Sequence, residues 1–514
     1  MRLVFSNDEP HLEPNPRREL MSGVPELSSS TLNRHGGRVL HPLEADRAPD
    51  QPMPVGTIYR YDRLLMDESL LSDSAAMSRL EEVIGQSGRR LDCSSASAIV
   101  ESQGSRRVPI SLSGHGTVDA WSALQSLKAA ANAGDLDADI VSKIGLEHLM
   151  VCSKGGSPSI GSSEPPQAGS HLTPLRRMPV DMVNPMPPRR EMKRRVRVAI
   201  LDTGVPKSHP GFDISDRAEQ LDTFVVVDHD FQRKFGARSD SHVAPLNTPW
   251  DGPVHEPGHV KDVASHYGHG TFMAGLLRQL SPDIQVYSLR IVHNDGLTYE
   301  HEMVAAMHHV ADETEAARAG DESAICVDMV VLAIGYVSED PNDAIAGWMK
   351  AAVDRLTALG IPVVSAAGNQ SSDRPFYPAA LAAFPKPETE APVLSVASLN
   401  PNRTVSMFSN DGTWVSCYAS GAGLVSTFPR DADGSLEPER QTDYTTIDRD
   451  RESHDPDDFY SGFAVWSGTS FAAPIAAGFL ANEMSGSGVP PAAVEDSTQA
   501  AAWVHGALKR LKSQ

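Results

Sequence analysis

Hydrophobic and polar residues are patterned differently in successive parts of the chain. Over residues 1–54 the apolar positions follow neither a helical nor a strand period, and Pro, Ser, Arg and acidic residues dominate. Such a stretch cannot bury enough apolar surface by itself, so a disordered or loosely docked arm is expected. Regular patterns begin near Val55. Thr57-Ile58-Tyr59-Arg60-Tyr61 reads as a strand, and Ala76, Met77, Leu80, Val83 and Ile84 recur on one helical face. Val108, Ile110 and Leu112 alternate as a strand does, Trp121, Leu124 and Leu127 mark a second amphipathic helix, and Leu146 to Cys152 reads as a last strand. Residues 55–152 are therefore expected to form a small α+β domain. Residues 153–193 lose the pattern again, becoming Ser/Gly/Pro-rich and then basic, with Arg176, Arg177, Arg189, Arg190 and Lys193. This predicts either a solvated linker attracted to the acidic remainder or a protease-accessible junction.

From 194 to 514 short apolar runs alternate with helical periods. Val196 to Leu201 is a near-continuous buried strand. Helices should start near His269 and near Tyr299, the latter with Met303, Ala306, Met307 and Val310 on one side. Val327–Ile334 reads as a strand, Ala344–Leu359 as a helix, and Ile361–Ala366 and Val393–Ala397 as further strands. Buried strands alternating with helices predict an α/β fold, a parallel sheet with helices on both faces. Sites in such sheets form beyond the carboxyl ends of the strands.

Composition narrows the partners. With 514 residues, a net charge of -22 and a pI near 5.3, the chain lacks the basic face that nucleic acid or an anionic membrane would require. Cys93, Cys152, Cys326 and Cys417 lie far apart with no CxxC pair, so free thiols are expected, with two disulfides as the arithmetic alternative. The first twenty residues hold no apolar signal region, and nowhere do eighteen apolar residues run together, which predicts a chain kept in the cytoplasm.

Candidate chemistry sits at the ends of the predicted strands and the starts of the predicted helices. Leu201-Asp202-Thr203-Gly204 ends the first strand, where an Asp is a common turn former but also a carboxylate able to reach a histidine. His266-Tyr267-Gly268-His269-Gly270-Thr271 flanks a histidine with glycines that permit close backbone approach. Ala366-Ala367-Gly368-Asn369 carries an amide at a strand end, and Ser467-Gly468-Thr469-Ser470-Phe471-Ala472-Ala473-Pro474 sets a serine at a helix N-terminus. That place suits an N-cap and equally suits a nucleophile, because the helix dipole favours developing negative charge there. His255-Glu256-Pro257-Gly258-His259 has the HExxH spacing of zinc proteases, but Pro257-Gly258 would break the helix that spacing requires.

In this order, Asp202-Thr203-Gly204, His269-Gly270-Thr271, Ala367-Gly368-Asn369 and Gly468-Thr469-Ser470 closely resemble the subtilisin-like serine proteases (subtilases), over roughly residues 195–500. The resemblance implies a serine endopeptidase acting on a protein or peptide substrate. Ser470 would be the nucleophile, His269 the general base, Asp202 the residue orienting the imidazole, and Asn369 an oxyanion donor. It also implies that Ala333-Ile334-Gly335 pairs with an extended substrate and that Ala366, Ala367 and Gly368 wall the primary specificity pocket; Tyr336 departs from the small residue that many relatives carry there and is expected to narrow a subsite. No cofactor is required for this chemistry. A structural calcium ion, present in several relatives, is one reading of the acidic insertion 430–460, which has eleven acidic against four basic residues; a plain surface loop and a lid selecting basic substrates are the others. Domain 55–152 would be a prodomain inhibiting the site intramolecularly or a permanent regulatory module. The activity is expected to be that of a processing or regulated protease, and the alternative is a peptide-binding scaffold on an inactive fold.

Overall fold

A computed structural model of the chain describes residues 3–13, 20–93, 107–115, 117–152, 177–216, 223–237, 242–255, 262–340, 347–442, 451–486 and 496–513. The main sheet grows outward from Arg197–Asp202. Val198 and Ile200 enter the apolar cluster on one face and Ala199 and Leu201 the cluster on the other, as a strand covered on both sides requires. Among the described residues this sheet has nine strands, and from Cys417–Ser420 through Val393–Leu399, Val363–Ala366, Met329–Leu332, Arg197–Asp202, Gln285–Arg290 and Val225–Val227 to Ile214–Ser215 every pairing is parallel. Helices His269–Leu280, Thr469–Gly486 and Ser497–Lys512 cover one face, while Glu300–Arg318 and Trp348–Ala358 cover the other. This is the α/β architecture expected, preceded by a small α+β unit.

That unit also matches the pattern. Strands Ile58–Asp67, Arg107–Gly114 and Ile144–Cys152 and helices Ser74–Gln86 and Ala120–Ala133 bury Ala76, Leu80, Ile84, Val108, Ile110, Leu112, Trp121, Leu124 and Leu127 in one core. Its sheet does not end with its own strands. Ile144–Cys152 continues antiparallel onto Leu297–Tyr299 on one side and Ile334–Gly335 on the other, both from the α/β domain.

The arm and the linker differ from expectation. Val4–Phe5 joins the edge of the main sheet beside Cys417–Ser420, and Gly37–Val39 pairs with Ile58–Asp67. The Arg374 guanidinium donates to the Ser22 carbonyl, and His35 lies buried between Asp295 and Tyr299. The described parts of residues 1–54 are thus closely docked. Their contacts are single side chains and short strand edges meeting partners hundreds of residues away, which no local period records. The described part of the basic linker, 177–193, is docked too. Arg177 donates to the Tyr267 carbonyl and stands over the rings of Phe428 and Trp466, Met178–Pro179 pairs with Phe463–Trp466, and Arg189 and Arg190 bond Pro282, Ile284 and Asp283. Arg177, Arg189 and Arg190 reach backbone carbonyls and one carboxylate at the sheet's rim, while Arg190 and Lys193 also remain exposed to solvent. The remainder of the proposed junction, 153–176, lies outside the described residues, as do positions 256–259 of the HExxH stretch; His255 is exposed and bridges Val263. All four cysteines are free. Among the described residues no helix is long and apolar enough to cross a membrane.

Candidate active site

Asp202 ends the central strand and is almost wholly buried. The Thr203 N–H donates to its Oδ1 at 2.8 Å, and its carbonyl accepts from Ile291 and Val292, which fixes the carboxylate at the sheet's carboxyl edge. His269 opens helix His269–Leu280. Gly268 before it takes a left-handed φ of 79°, a conformation that side chains resist. A Cβ on Gly270 would lie 2.5 Å from the Gly204 carbonyl, so only glycine lets the helix start this close to the strand end. The result is a hydrogen bond of 2.8 Å from His269 Nδ1–H to Asp202 Oδ1, with both side chains 1% exposed. Trp466 meets the imidazole edge-on at 5.5 Å, and the Phe471 ring lies 5.2 Å away. Nε2 of His269 and Oδ2 of Asp202 are buried with no hydrogen-bond partner.

Ser470 is the second residue of helix Thr469–Gly486, so it stands inside the first turn and does not cap it. Its hydroxyl donates to the Ala333 carbonyl at 3.4 Å. Asn369 lies one residue beyond Gly368 at the end of the neighbouring strand. Its Oδ1 accepts from the N–H and the hydroxyl of Thr469, at 2.9 and 2.8 Å, which commits that end of the amide and turns the donor end away from Thr469. The Thr469 hydroxyl in turn receives the Gly368 N–H at 3.1 Å, and Ala366 and Ala367 are fully buried just upstream. The Asp202–His269 pair, the Ser470–Ala333 contact and the Asn369–Thr469 contact therefore converge at the carboxyl ends of adjacent parallel strands. Such an arrangement sets a hydroxyl in a helix's first turn, an imidazole paired with a carboxylate, and an amide at one edge of the sheet.

Residues 149–152 lie across this site. Leu149, Met150 and Val151 stand opposite Tyr299, Thr298 and Leu297, while Cys152 and Val151 stand opposite Ile334 and Gly335. The Cys152 N–H donates to the Gly296 carbonyl at 2.7 Å. The slot that the sequence assigns to an extended substrate is thus filled by the chain's own strand, with Ala333 at its inner end. Among the described residues, Cys152, Asp202 and His269 are the one group of potential metal ligands, their ligand atoms all within 4.8 Å of one another. It is a thiol, a carboxylate and an imidazole rather than the oxygen cage that calcium takes. Burial, and then the nearby charges of Asp202 and Asp295, push the Cys152 thiol well up.

Sequence reasoning missed several contributors. Asp251, inside the long segment between Asp202 and His269, accepts from the Gly268 N–H at 2.8 Å and from Asn294 at 2.7 Å, bracing the turn before His269. Burial raises its carboxyl to about 7 despite Arg290 nearby. Nothing in its local sequence marks it. In the acidic insertion, Asp431 accepts from Tyr267 at 2.6 Å and Ala432 and Phe459 join the core, so its described ends are anchored beside the same turn; burial raises the Asp457 carboxyl to about 6.

Comparison with known proteins bears on the family. The family model described as the subtilase family matches residues 193–507. The chain is 22% identical over 257 residues to the major intracellular serine protease of Bacillus subtilis (strain 168), covering 47% of this chain and 63% of that protein. It is 24% identical to the thermophilic serine proteinase of Bacillus sp. (strain AK1), covering 45% of each. The match thus spans less than two thirds of either relative. A solved structure of a cold adapted subtilisin-like serine proteinase aligns with a TM-score of 0.35 and 18% identity, over 58% of this chain and 79% of that one. With the family model matching more than half its length, the chain belongs to the subtilase family.

Proposed function

We propose that the chain is a serine endopeptidase whose own residues 149–152 occupy the substrate slot until the chain is cut just beyond Cys152. The observation that carries this reading is the buried Asp202–His269 pair with Nε2 left without a partner, beside a serine in the first turn of a helix. Rotation of the Ser470 side chain away from Ala333 would bring its hydroxyl toward Nε2. His269 would take the proton as Ser470 attacks the scissile carbonyl and return it to the leaving amine. Asp202 would hold the tautomer with Nε2 unprotonated and stabilise the imidazolium. The Asn369 amide and the Ser470 backbone N–H would donate to the oxyanion. Main-chain pairing along Ala333, Ile334 and Gly335 would hold an extended substrate largely independently of its side chains.

A retained regulatory module is a second reading with its own support. Ionic contacts cross the boundary at His148 with Glu300 and Glu339, at Glu147 with His301, and at Arg34 and His35 with Asp295. They favour a module that stays bound after cleavage.

A fluorophosphonate probe should label the wild-type chain and not Ser470→Ala; labelling of the variant would remove Ser470 as nucleophile. On a gel followed over time, the wild type should yield an N-terminal fragment ending soon after Cys152, and Ser470→Ala should remain whole. An uncut chain with full activity would overturn the occupied-slot reading. Co-elution of the two fragments would support the retained module.

A further inference from the structure

The strand that fills the substrate slot carries charged side chains into the α/β domain, and the groups that receive them belong to that domain. Successive residues of a strand point to opposite sides, so Glu147 and His148 meet different surroundings. His148 is held at both ring nitrogens: Nδ1 lies 2.6 Å from Glu300 Oε2 and Nε2 lies 2.7 Å from Glu339 Oε2. Its ring stacks on Tyr336 with centroids 4.3 Å apart and planes 18° from parallel, and the Tyr336 hydroxyl donates to the other oxygen of Glu300 at 2.9 Å. Burial would lower the basicity of His148, but the two carboxylates overcome it and hold the imidazolium up to about 10. Glu147, facing the other way, pairs with His301.

We propose that Glu300, Glu339 and Tyr336 form a substrate subsite for a planar cationic side chain, Arg or His, four residues upstream of the position Cys152 holds, and that His148 fills it in the resting chain. The inference rests on the peptidase reading and adds a specificity to it. With the chain's own strand docked, side-chain exposure is 1% at Glu300 and 19% at Glu339, so a substrate strand that covers them in the same way but brings no cation leaves two carboxylates poorly solvated. A guanidinium supplies what His148 supplies, donors in two directions and a flat face for Tyr336, whereas the ammonium of Lys has no face to stack. On the α/β side, Glu300, Tyr336 and Glu339 border a cavity of about 420 Å³ that the module closes from the opposite side, so displacing the module leaves these groups open to a longer side chain. Because Glu147 meets His301, an acidic residue immediately before the cation completes the pattern.

The test uses the full chain after self-cleavage and quenched fluorescent peptides that reproduce residues 147–154, with His148 kept or replaced as His148→Arg, His148→Lys and His148→Ala, and one peptide with the Glu147 and His148 residues exchanged. The His and Arg peptides should be cleaved with kcat/KM roughly tenfold or more above the Ala and exchanged peptides, the range that charge-assisted hydrogen bonds provide, with Lys between them. In Glu300→Gln and in Glu339→Gln, whose position is the more exposed and so the safer for folding, the ratio between Arg and Ala peptides should collapse toward one. Equal cleavage of all peptides, or discrimination that survives both substitutions, overturns the subsite. A chain that labels at Ser470 yet cleaves no peptide of the set is assayed again as His148→Ala, whose weakened module frees the slot, and a continued absence of cleavage there overturns the subsite. A chain that fails to label at Ser470 brings down the peptidase reading itself, and the subsite with it.

Discussion

Two buried histidines beside carboxylates do different things in this molecule. His269 has one nitrogen on Asp202 and the other without a partner. His148 has a carboxylate on each nitrogen and a tyrosine ring against its face. Both are buried, and both would look like ion pairs in a tally of charges. The difference is in what is left over. A ring held at one end keeps a lone pair or a proton for exchange at the other, whereas a ring held at both ends has neither to give and serves as a clamp. Position follows the same division: His269 opens a helix at the carboxyl edge of the sheet, and His148 lies on the strand that joins the module to the α/β domain.

Removing each ring separates the two roles. His269→Ala should lower kcat on a protein substrate by on the order of 10⁵–10⁶, as loss of one member of such a unit does, while the module remains docked; active-site titration against turnover reads the loss. Asn369→Ala should cost about 10²–10³ in kcat with little change in KM, since the amide is needed only as charge develops. His148→Ala should act in the opposite sense to His269→Ala. It leaves Glu300 and Glu339 without their cation and should weaken retention of the cleaved module by roughly 3 kcal/mol, measured as faster separation of the fragments on gel filtration.

Within any one pH unit the effect of acidity is the smallest, and it is the most diagnostic. His148 is raised from 6.5 to about 10 on docking, so its contribution is complete below pH 6.5 and is lost as pH rises toward 10. Glu339 is lowered from 4.5 to about 2, mainly by His148 against the effect of burial, with Lys128 adding to it; its contribution is complete above pH 4.5 and is lost as pH falls toward 2. Retention of the cleaved module should therefore be tightest between pH 4.5 and 6.5 and weaken above, by up to about tenfold per pH unit where one proton is released. Fragment affinity measured across this range checks it, and in His148→Ala the alkaline slope should disappear. A flat profile in the wild type would show that the pair is not the clamp.

Much of the fold is legible in the sequence because its elements have strong periods and self-contained cores. The helix at Ser74–Gln86 buries Ala76, Leu80 and Ile84 at the spacing that predicts it, and the central strand is buried on both faces as its unbroken apolar run requires. The candidate site is legible for a different reason: Gly268, Gly270 and Gly368 stand where backbones approach closely or turn through positive φ, and these marks survive in one dimension. Docking of the arm was not legible. Ser22 meets Arg374 and His35 meets Asp295 across hundreds of residues, and neither pair has a period to betray it. Asp251 was missed on the same grounds.

What the sequence determined alone is the set of local structures and the chemical types at their ends: an Asp, a His, an Asn and a Ser where parallel strands and helices begin or stop. Those follow from side-chain periodicity and backbone sterics, which act within a few residues. Only the tertiary structure decided what lies against them. It paired residues 149–152 with Leu297–Tyr299 and with Ile334 and Gly335, placed the Cys152 thiol next to Asp202 and His269, and locked His148 between two carboxylates from the other domain. Such pairings depend on register and on desolvation of distant groups, and the pattern along a strand is the same whether its partner is a neighbour, a substrate or another domain.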